Sequence, residues 1–140
     1  MAPPYLADTN VYVNAANDAE FAAQFAAFRR NIEPLIVSTV VMAELALGFP
    51  RWEMQERMLR ALTAGSPALT PTGEDWLRAA SALAQLGGEL VTKSRSFWND
   101  AILAAQCERL GVTLITRNAA DFRRLARILR TDVVSPFPKI

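Results

Sequence analysis

The chain has 140 residues, 51% hydrophobic and 21% charged, with a net charge of +1, a globular balance with enough length for one real core and no obvious overall pull on polyanions. It has no histidine and one cysteine, which excludes Ser-His-Asp and Cys-His catalysis, His-containing or all-Cys zinc sites and iron–sulfur clusters within one chain. No GxxxxGK[ST] or GxGxxG loop occurs, so any catalysis rests on carboxylates, hydroxyls, Arg or the two lysines, with a hard metal ion as an available helper.

"MAPPYLADTN" lacks the basic region and apolar core of a signal peptide, and no apolar run approaches the roughly 20 residues that span a bilayer. Cys107 lies in an apolar helical pattern, as a small core residue in a reduced, cytoplasmic setting. "YLAD", ending in Asp8, suits a buried first strand, and a helix starts in "TNVYVNAA". In "DAEFAAQFAAFRRNI", Phe21, Phe25, Phe28 and Ile32 recur at spacings of four, three and four, one face of a helix. Pro34 ends that helix, and Leu35-Ile36-Val37 is a second apolar strand. Ser38 or Thr39 can cap "VVMAELALG", which closes on Gly48 and Pro50. "RWEMQERMLRAL" is a charged amphipathic helix stopping near "TAGSP", and "ALTPTG" holds a short strand. Thr72 caps "EDWLRAASALAQLG", the pair Gly87-Gly88 ends it, and "ELVTKSRS" reads as an exposed loop. "SFWNDAILAAQCERL" is a helix closed by Gly111, "VTLIT" a buried strand, "AADFRRLARIL" a helix and "DVVSPF" a final strand. Continuously apolar strands alternating with helices predict an α/β sandwich with a mostly parallel central sheet, one domain over residues 1–140.

In an open parallel sheet, ligands bind beyond the carboxyl ends of the strands. Asp8 ends the first strand, and Asp121 follows the "VTLI" strand. Glu44 is the only charged residue between Glu33 and Arg51, with no Lys or Arg three or four positions away, so its burial requires a partner from elsewhere. Asp100 has two readings. With Ser96 as helix cap it lies beyond capping reach; with Asn99 as cap it sits in the first turn, favoured by the helix dipole. Four acids brought together repel one another unless a cation is bound, and hard divalent ions such as Mg²⁺ or Mn²⁺ take such oxygen ligands.

"LADTNVYV", "STVVMAELALG" and "NDAILAAQCERLGVTLITRNAADF" resemble, in order and spacing, the motifs of PIN-domain ribonucleases, nearest to the VapC-type toxins of toxin–antitoxin pairs. The resemblance runs from Leu6 to Phe122. It implies a three-layer α/β/α sandwich whose acids hold Mg²⁺ or Mn²⁺ for RNA cleavage. By position, Asp8, Glu44 and Asp100 match the family's core acids and Asp121 its more variable fourth. Asp8 and Asp100 would bind metal, with Glu44 and Asp121 doing so directly or through water. Asn10, Thr116 and Asn118 match orienting polar positions. The resemblance also implies a VapB-like antitoxin as partner, with "RWEMQERMLRAL" and "FAAQFAAF" offering apolar surface for it or simply facing the core. A homodimer would enlarge the basic surface.

Five arginines (Arg117, Arg123, Arg124, Arg127 and Arg130) fall within fourteen residues, either as a solvated helix face or as a phosphate-contacting rim. Arg95, Arg117, Arg123 and Arg124 are the candidates for RNA contact. Two other readings stand beside the nuclease. A non-catalytic RNA-binding or protein-interaction module would keep the fold without needing the acids. A haloacid-dehalogenase-like phosphatase would use Asp8 as nucleophile, but needs a second Asp where Asn10 stands and a phosphate-gripping Lys, for which only Lys93 serves.

Overall fold

Five short runs form the sheet: β1 (Tyr5–Ala7), β2 (Leu35–Ser38), β3 (Ala68–Leu69), β4 (Thr113–Ile115) and β5 (Asp132–Val134). A computed structural model describes residues 4–32, 35–87 and 95–139. The strand order is β3-β2-β1-β4-β5, and every pairing is parallel. Tyr5 of β1 lies opposite Leu35 of β2 on one side and Thr113 of β4 on the other. The three inner strands are buried along their whole length, which is why their sequences are continuous runs without polar alternation.

Seven helices are described: α1 (Thr9–Asn17), α2 (Ala19–Arg30), α3 (Thr39–Ala46), α4 (Trp52–Thr63), α5 (Gly73–Leu86), α6 (Arg95–Leu110) and α7 (Ala119–Leu125). Strand side chains point alternately to the two faces of a sheet, and the core divides accordingly. Leu6, Ile36 and Leu114 pack with Leu83 of α5, Ile102 of α6 and Phe122 of α7. Tyr5, Ala7, Leu35 and Ile115 pack on the other face with Val11 of α1 and Phe25 and Phe28 of α2. The result is the three-layer α/β/α sandwich, with a parallel sheet throughout.

Local chemistry sets the helix starts. Asp18 caps α2, accepting from the Phe21 N–H, and Ser38 caps α3, accepting from the Val40 N–H. Thr72 and Asp75 exchange bonds in a capping box at the start of α5. Gly111, at φ 65°, takes the left-handed conformation that turns α6 into β4. Ser38 also donates to Gln106 at 2.6 Å, and Gln106 donates to the Leu69 carbonyl at 3.1 Å. This buried bridge ties the middle of α6 to the ends of β2 and β3.

Two expectations need correction. Arg95, expected in a loop, and Ser96, expected at the junction of that loop with the helix, are the first described residues of α6; the rest of that loop, with Lys93, lies outside the described residues, as do Pro34 and Gly88. The helix expected over "AADFRRLARIL" is regular only to Leu125, after which turns carry the chain to Leu129. Leu125 and Leu129 are fully buried, so the apolar period persists where the regular helix does not. Among the described residues, no helix is long and apolar enough to cross a membrane.

Candidate active site

The strand ends deliver the acids. Asp8 leaves β1 with its N–H bonded to the Ile115 carbonyl at 2.9 Å. Its Oδ1 accepts from the Thr9 N–H at 2.8 Å, starting α1. Its Oδ2 accepts from Thr116 Oγ1 at 2.9 Å and Asn10 Nδ2 at 3.2 Å. Thr116, at the exit of β4, is fully buried. Its Oγ1 also accepts from Asn10 Nδ2 at 3.2 Å and the Asn118 N–H at 3.0 Å. Asn10 Oδ1 in turn accepts from the Arg117 N–H at 3.1 Å. The three residues expected to orient the site therefore form one connected network around Asp8.

Glu44, on α3, finds its partners far away in sequence. Thr9 Oγ1 donates to it at 2.9 Å, and Asn99 on α6 also bonds it. Both are neutral, so among the described residues no Lys or Arg compensates the glutamate. Asp100 belongs to the same helix as Asn99. Because α6 is already helical at Arg95, Asp100 stands in its second turn and Asn99 is not the cap. The first-turn reading of Asp100 is thereby removed. Its face neighbours Ala104 and Cys107 are buried and small.

Asp8, Glu44 and Asp100 line one hollow of about 450 Å³ together with Asn10, Arg117 and Asn118. The electrostatics are those of crowded acids. Burial raises the Asp8 carboxyl, against the lowering effect of Thr116 and the Thr9 N–H. Burial raises Glu44 as well, opposed by Thr9 and Asn99 and reinforced by the Asp8 charge. Asp100 is pushed up to about 8, first by burial and then by the charges of Asp8, Glu44 and Asp121. Among the described residues none of the three has an ion pair with Lys or Arg.

Such a donor set, all oxygen and mostly anionic, fits a hard divalent cation. As they stand, no three acids among the described residues converge closely enough to enclose one ion. Like charges spread apart and turn to neutral donors, which is what Asp8 and Glu44 do with Thr9, Asn10, Thr116 and Asn99.

The remaining candidates separate. Asp121, in the first turn of α7, accepts from Asn118 Nδ2 at 2.9 Å. It is not on the wall of the hollow but acts on Asp100 through its charge. Among the candidate arginines described with their side chains, only Arg117 lines the hollow, its guanidinium 5.7 Å from the Phe21 ring centroid. Arg123 and Arg124 are exposed in the last turn of α7, where cations complement the helix dipole. The Arg95 side chain lies outside the described residues. Sequence reasoning did not single out Thr9 and Asn99. Their only sequence signal is adjacency to Asp8 and Asp100, and their shared partner Glu44 is set by tertiary packing.

With this geometry in hand, the family can be stated. The PIN domain family model matches residues 5–128, and the chain belongs to that family. Similar solved structures include VapBC-1 from nontypeable Haemophilus influenzae, with TM-score 0.72, 23% identity and coverage of 94% of this chain and 97% of that one. VapBC2 from Rickettsia felis, bound to a DNA fragment from its promoter, matches with TM-score 0.70 at 19% identity, covering 94% and 98%. A toxin–antitoxin complex from Klebsiella pneumoniae matches with TM-score 0.67 at 23% identity, covering 96% and 99%. At these identities the likeness is one of fold. No curated protein matches the chain.

Proposed function

We propose that residues 1–140 work as one Mg²⁺- or Mn²⁺-dependent endoribonuclease, the toxin of a toxin–antitoxin pair. The carrying observation is that Asp8, Glu44 and Asp100 share one hollow at the strand ends without a compensating Lys or Arg among the described residues. A buried, unpaired cluster of carboxylates destabilises a fold, and a divalent cation relieves it.

Asp8 and Asp100 would hold the ion, with Glu44 and Asp121 assisting directly or through water. Bound there, a divalent ion supplies Lewis acidity towards a phosphodiester and makes water acidic enough to act as a nucleophile near neutral pH. The protein's part is orientation and charge. Thr116, Asn10 and the Thr9 N–H fix both oxygens of Asp8. Thr9 and Asn99 fix Glu44. Arg117, steadied over Phe21, supplies a positive charge for the phosphate. No histidine is needed.

A partner surface adjoins the site. A hollow of about 630 Å³ between α1, α2, α3 and α4 is lined by apolar side chains including Ala16, Leu45, Phe49, Met58 and Leu62. The Tyr12 hydroxyl is buried there without a hydrogen-bond partner among the described residues, and burial, against the nearby Arg29 charge, pushes it up to about 12. Val13 and Asn17 line both hollows. An apolar segment of a VapB-like antitoxin seated here would cross α1 into the acidic hollow and obstruct it. The exposed Trp76 and Leu77 of α5 support self-association as a homodimer. The setting proposed is the cytoplasm.

The test is cleavage of RNA by purified protein with Mg²⁺ or Mn²⁺, against excess EDTA and against Asp8→Asn and Asp100→Asn, each checked for folding by circular dichroism. Undiminished cleavage in EDTA or by both variants would sink the assignment of the reaction to these acids, and RNA binding without cleavage would favour the non-catalytic module. A small neighbouring reading frame whose product co-purifies with this chain and blocks cleavage is the expected partner result.

A further inference from the structure

One wall of the acidic hollow is only partly engaged in holding the acids. Asn10, Asn14 and Asn17 follow one another along α1 at spacings of four and three, so they share a helix face. All three line the hollow, with Val13 between them. Asn10 is fully committed to Asp8, Thr116 and the Arg117 N–H. Asn14 is not: its amide has no hydrogen-bond partner among the described residues. Asn17 commits only its Nδ2, to the Val13 carbonyl at 2.9 Å, leaving its Oδ1 available as an acceptor. Val13 is 46% exposed.

This wall is neutral, and its neutrality selects what it can bind. An amide N–H can donate to a phosphate oxygen, but beside three acids the wall adds no positive charge, and the phosphate's main attraction in this hollow is to Arg117 and to a bound cation. A nucleobase does find complements here. An asparagine amide offers one donor and one acceptor in the geometry that pairs with adenine N7 and N6, and an acceptor oxygen receives any exocyclic amino group. Bases of single-stranded RNA are free to be splayed out and read on such edges. The valine methyls give the base or ribose an apolar surface.

We propose that Asn14 and Asn17, with Val13, form the base-reading wall of the site and select an amino-bearing base, adenine above all, beside the scissile phosphate. The assignment rests on the ribonuclease reading of the acids. It goes further by locating sequence choice on α1 while the phosphodiester chemistry stays with Asp8, Glu44 and Asp100.

The experiment is digestion of a random-sequence RNA pool by the full chain with Mn²⁺, with all cleavage ends sequenced. The wild type should enrich adenine at one fixed position by about ten-fold over uracil, the size of one good base contact. Asn14→Ala and Asn17→Ala should each flatten that ratio. Asn14→Asp keeps an acceptor and loses the donor, so it should move the preference towards cytosine, a gain that misfolding cannot mimic. Profiles that are the same in wild type and all three variants would overturn the proposal, as would uniform slowing with the ratios preserved. If the wild type cuts nothing in the pool, the ribonuclease reading fails by itself. Base composition is then read from pool RNA retained on immobilised wild type and Asn14→Ala, and equal composition, or no retention, overturns the base-reading wall.

Discussion

Replacing Asp100 by asparagine should make the metal-free protein more stable while removing its activity. Burial and the charges of Asp8, Glu44 and Asp121 carry this carboxyl from an ordinary 3.8 to about 8. For an acid whose folded value lies above its unfolded one, the penalty is absent below 3.8, grows as pH rises through the interval and levels off above about 8. At about 1.4 kcal/mol per pH unit, the span from 3.8 to pH 7 corresponds to about 4 kcal/mol against the fold. Asparagine keeps the shape without the charge, though its own amide loses solvation. The net gain should be about 1–3 kcal/mol, or about 3–10 °C in Tm for a chain of this size. The assay is thermal unfolding followed by circular dichroism in EDTA at pH 7 and pH 5, for wild type and Asp100→Asn. The gap between them should be widest at pH 7 and fall to less than half at pH 5. Mn²⁺ should raise the wild-type midpoint and leave the variant nearly unmoved. An Asp100→Asn protein melting below wild type at both pH values, or a gap indifferent to pH, would refute the account of an uncompensated acidic cluster.

Thr116→Val removes the oxygen that joins Asp8, Asn10 and the Asn118 N–H, and should weaken activation by Mn²⁺ about 10- to 100-fold in a cation titration of cleavage. Arg117→Ala should slow cleavage while leaving cation-induced stabilisation in thermal melts intact; unchanged turnover would remove Arg117 from the reaction. Asp75 is buried, completes the α5 capping box and receives two bonds from Arg109 Nε and one from Nη2, so Asp75→Ala should cost about 2–4 kcal/mol in urea unfolding at pH 7. Burial raises that carboxyl, but bonds from Arg109 and Thr72 outweigh it and hold it below its ordinary 3.8; its contribution is therefore complete above 3.8 and is lost as pH falls through the lowered value, narrowing the mutant's deficit in acid. Tyr12→Phe removes a buried hydroxyl without a partner and should stabilise the free protein by about 1 kcal/mol, while co-purification with the antitoxin weakens if a partner acceptor meets that hydroxyl.

The sheet was legible because its inner strands are buried on both faces. "YLA", "LIV" and "TLI" carry no alternation to confuse with a helix, and capping residues such as Ser38 and Thr72 mark the adjoining helices. The acids were legible as charges out of place in apolar segments, as Glu44 is in α3. What joins them was hidden. Thr9 meets Glu44 across 35 residues and Thr116 meets Asp8 across 108, and neither pairing follows from local spacing. Asp100 was left between two readings, and only the fold, with α6 already helical at Arg95, removes the first-turn one. The place of the basic residues was also hidden: Arg117, Arg123 and Arg124 are close in sequence, yet α7 starts between them, and only Arg117 lines the hollow.

Asp100 and Tyr12 depart from good packing in opposite ways, one a carboxyl crowded by like charge, the other a hydroxyl buried without a bond. Each departure weakens the free fold, and α1 lies between them, with Asp8 capping its start. Asn14, on the same helix as Tyr12, adds a half-buried amide with no hydrogen-bond partner among the described residues. Elsewhere the sequence satisfies several helix caps and much of its buried polar network, from Ser38–Gln106 to Asp75–Arg109, so the crowded carboxyl and the lone hydroxyl around α1 stand out. Local rules are broken where binding supplies the missing partner. On the proposed reading, α1 is the element on which cation, base and antitoxin segment would converge. It also explains why Val13 and Asn17, which border both hollows, would let the inhibitor and the substrate exclude each other without any change of fold.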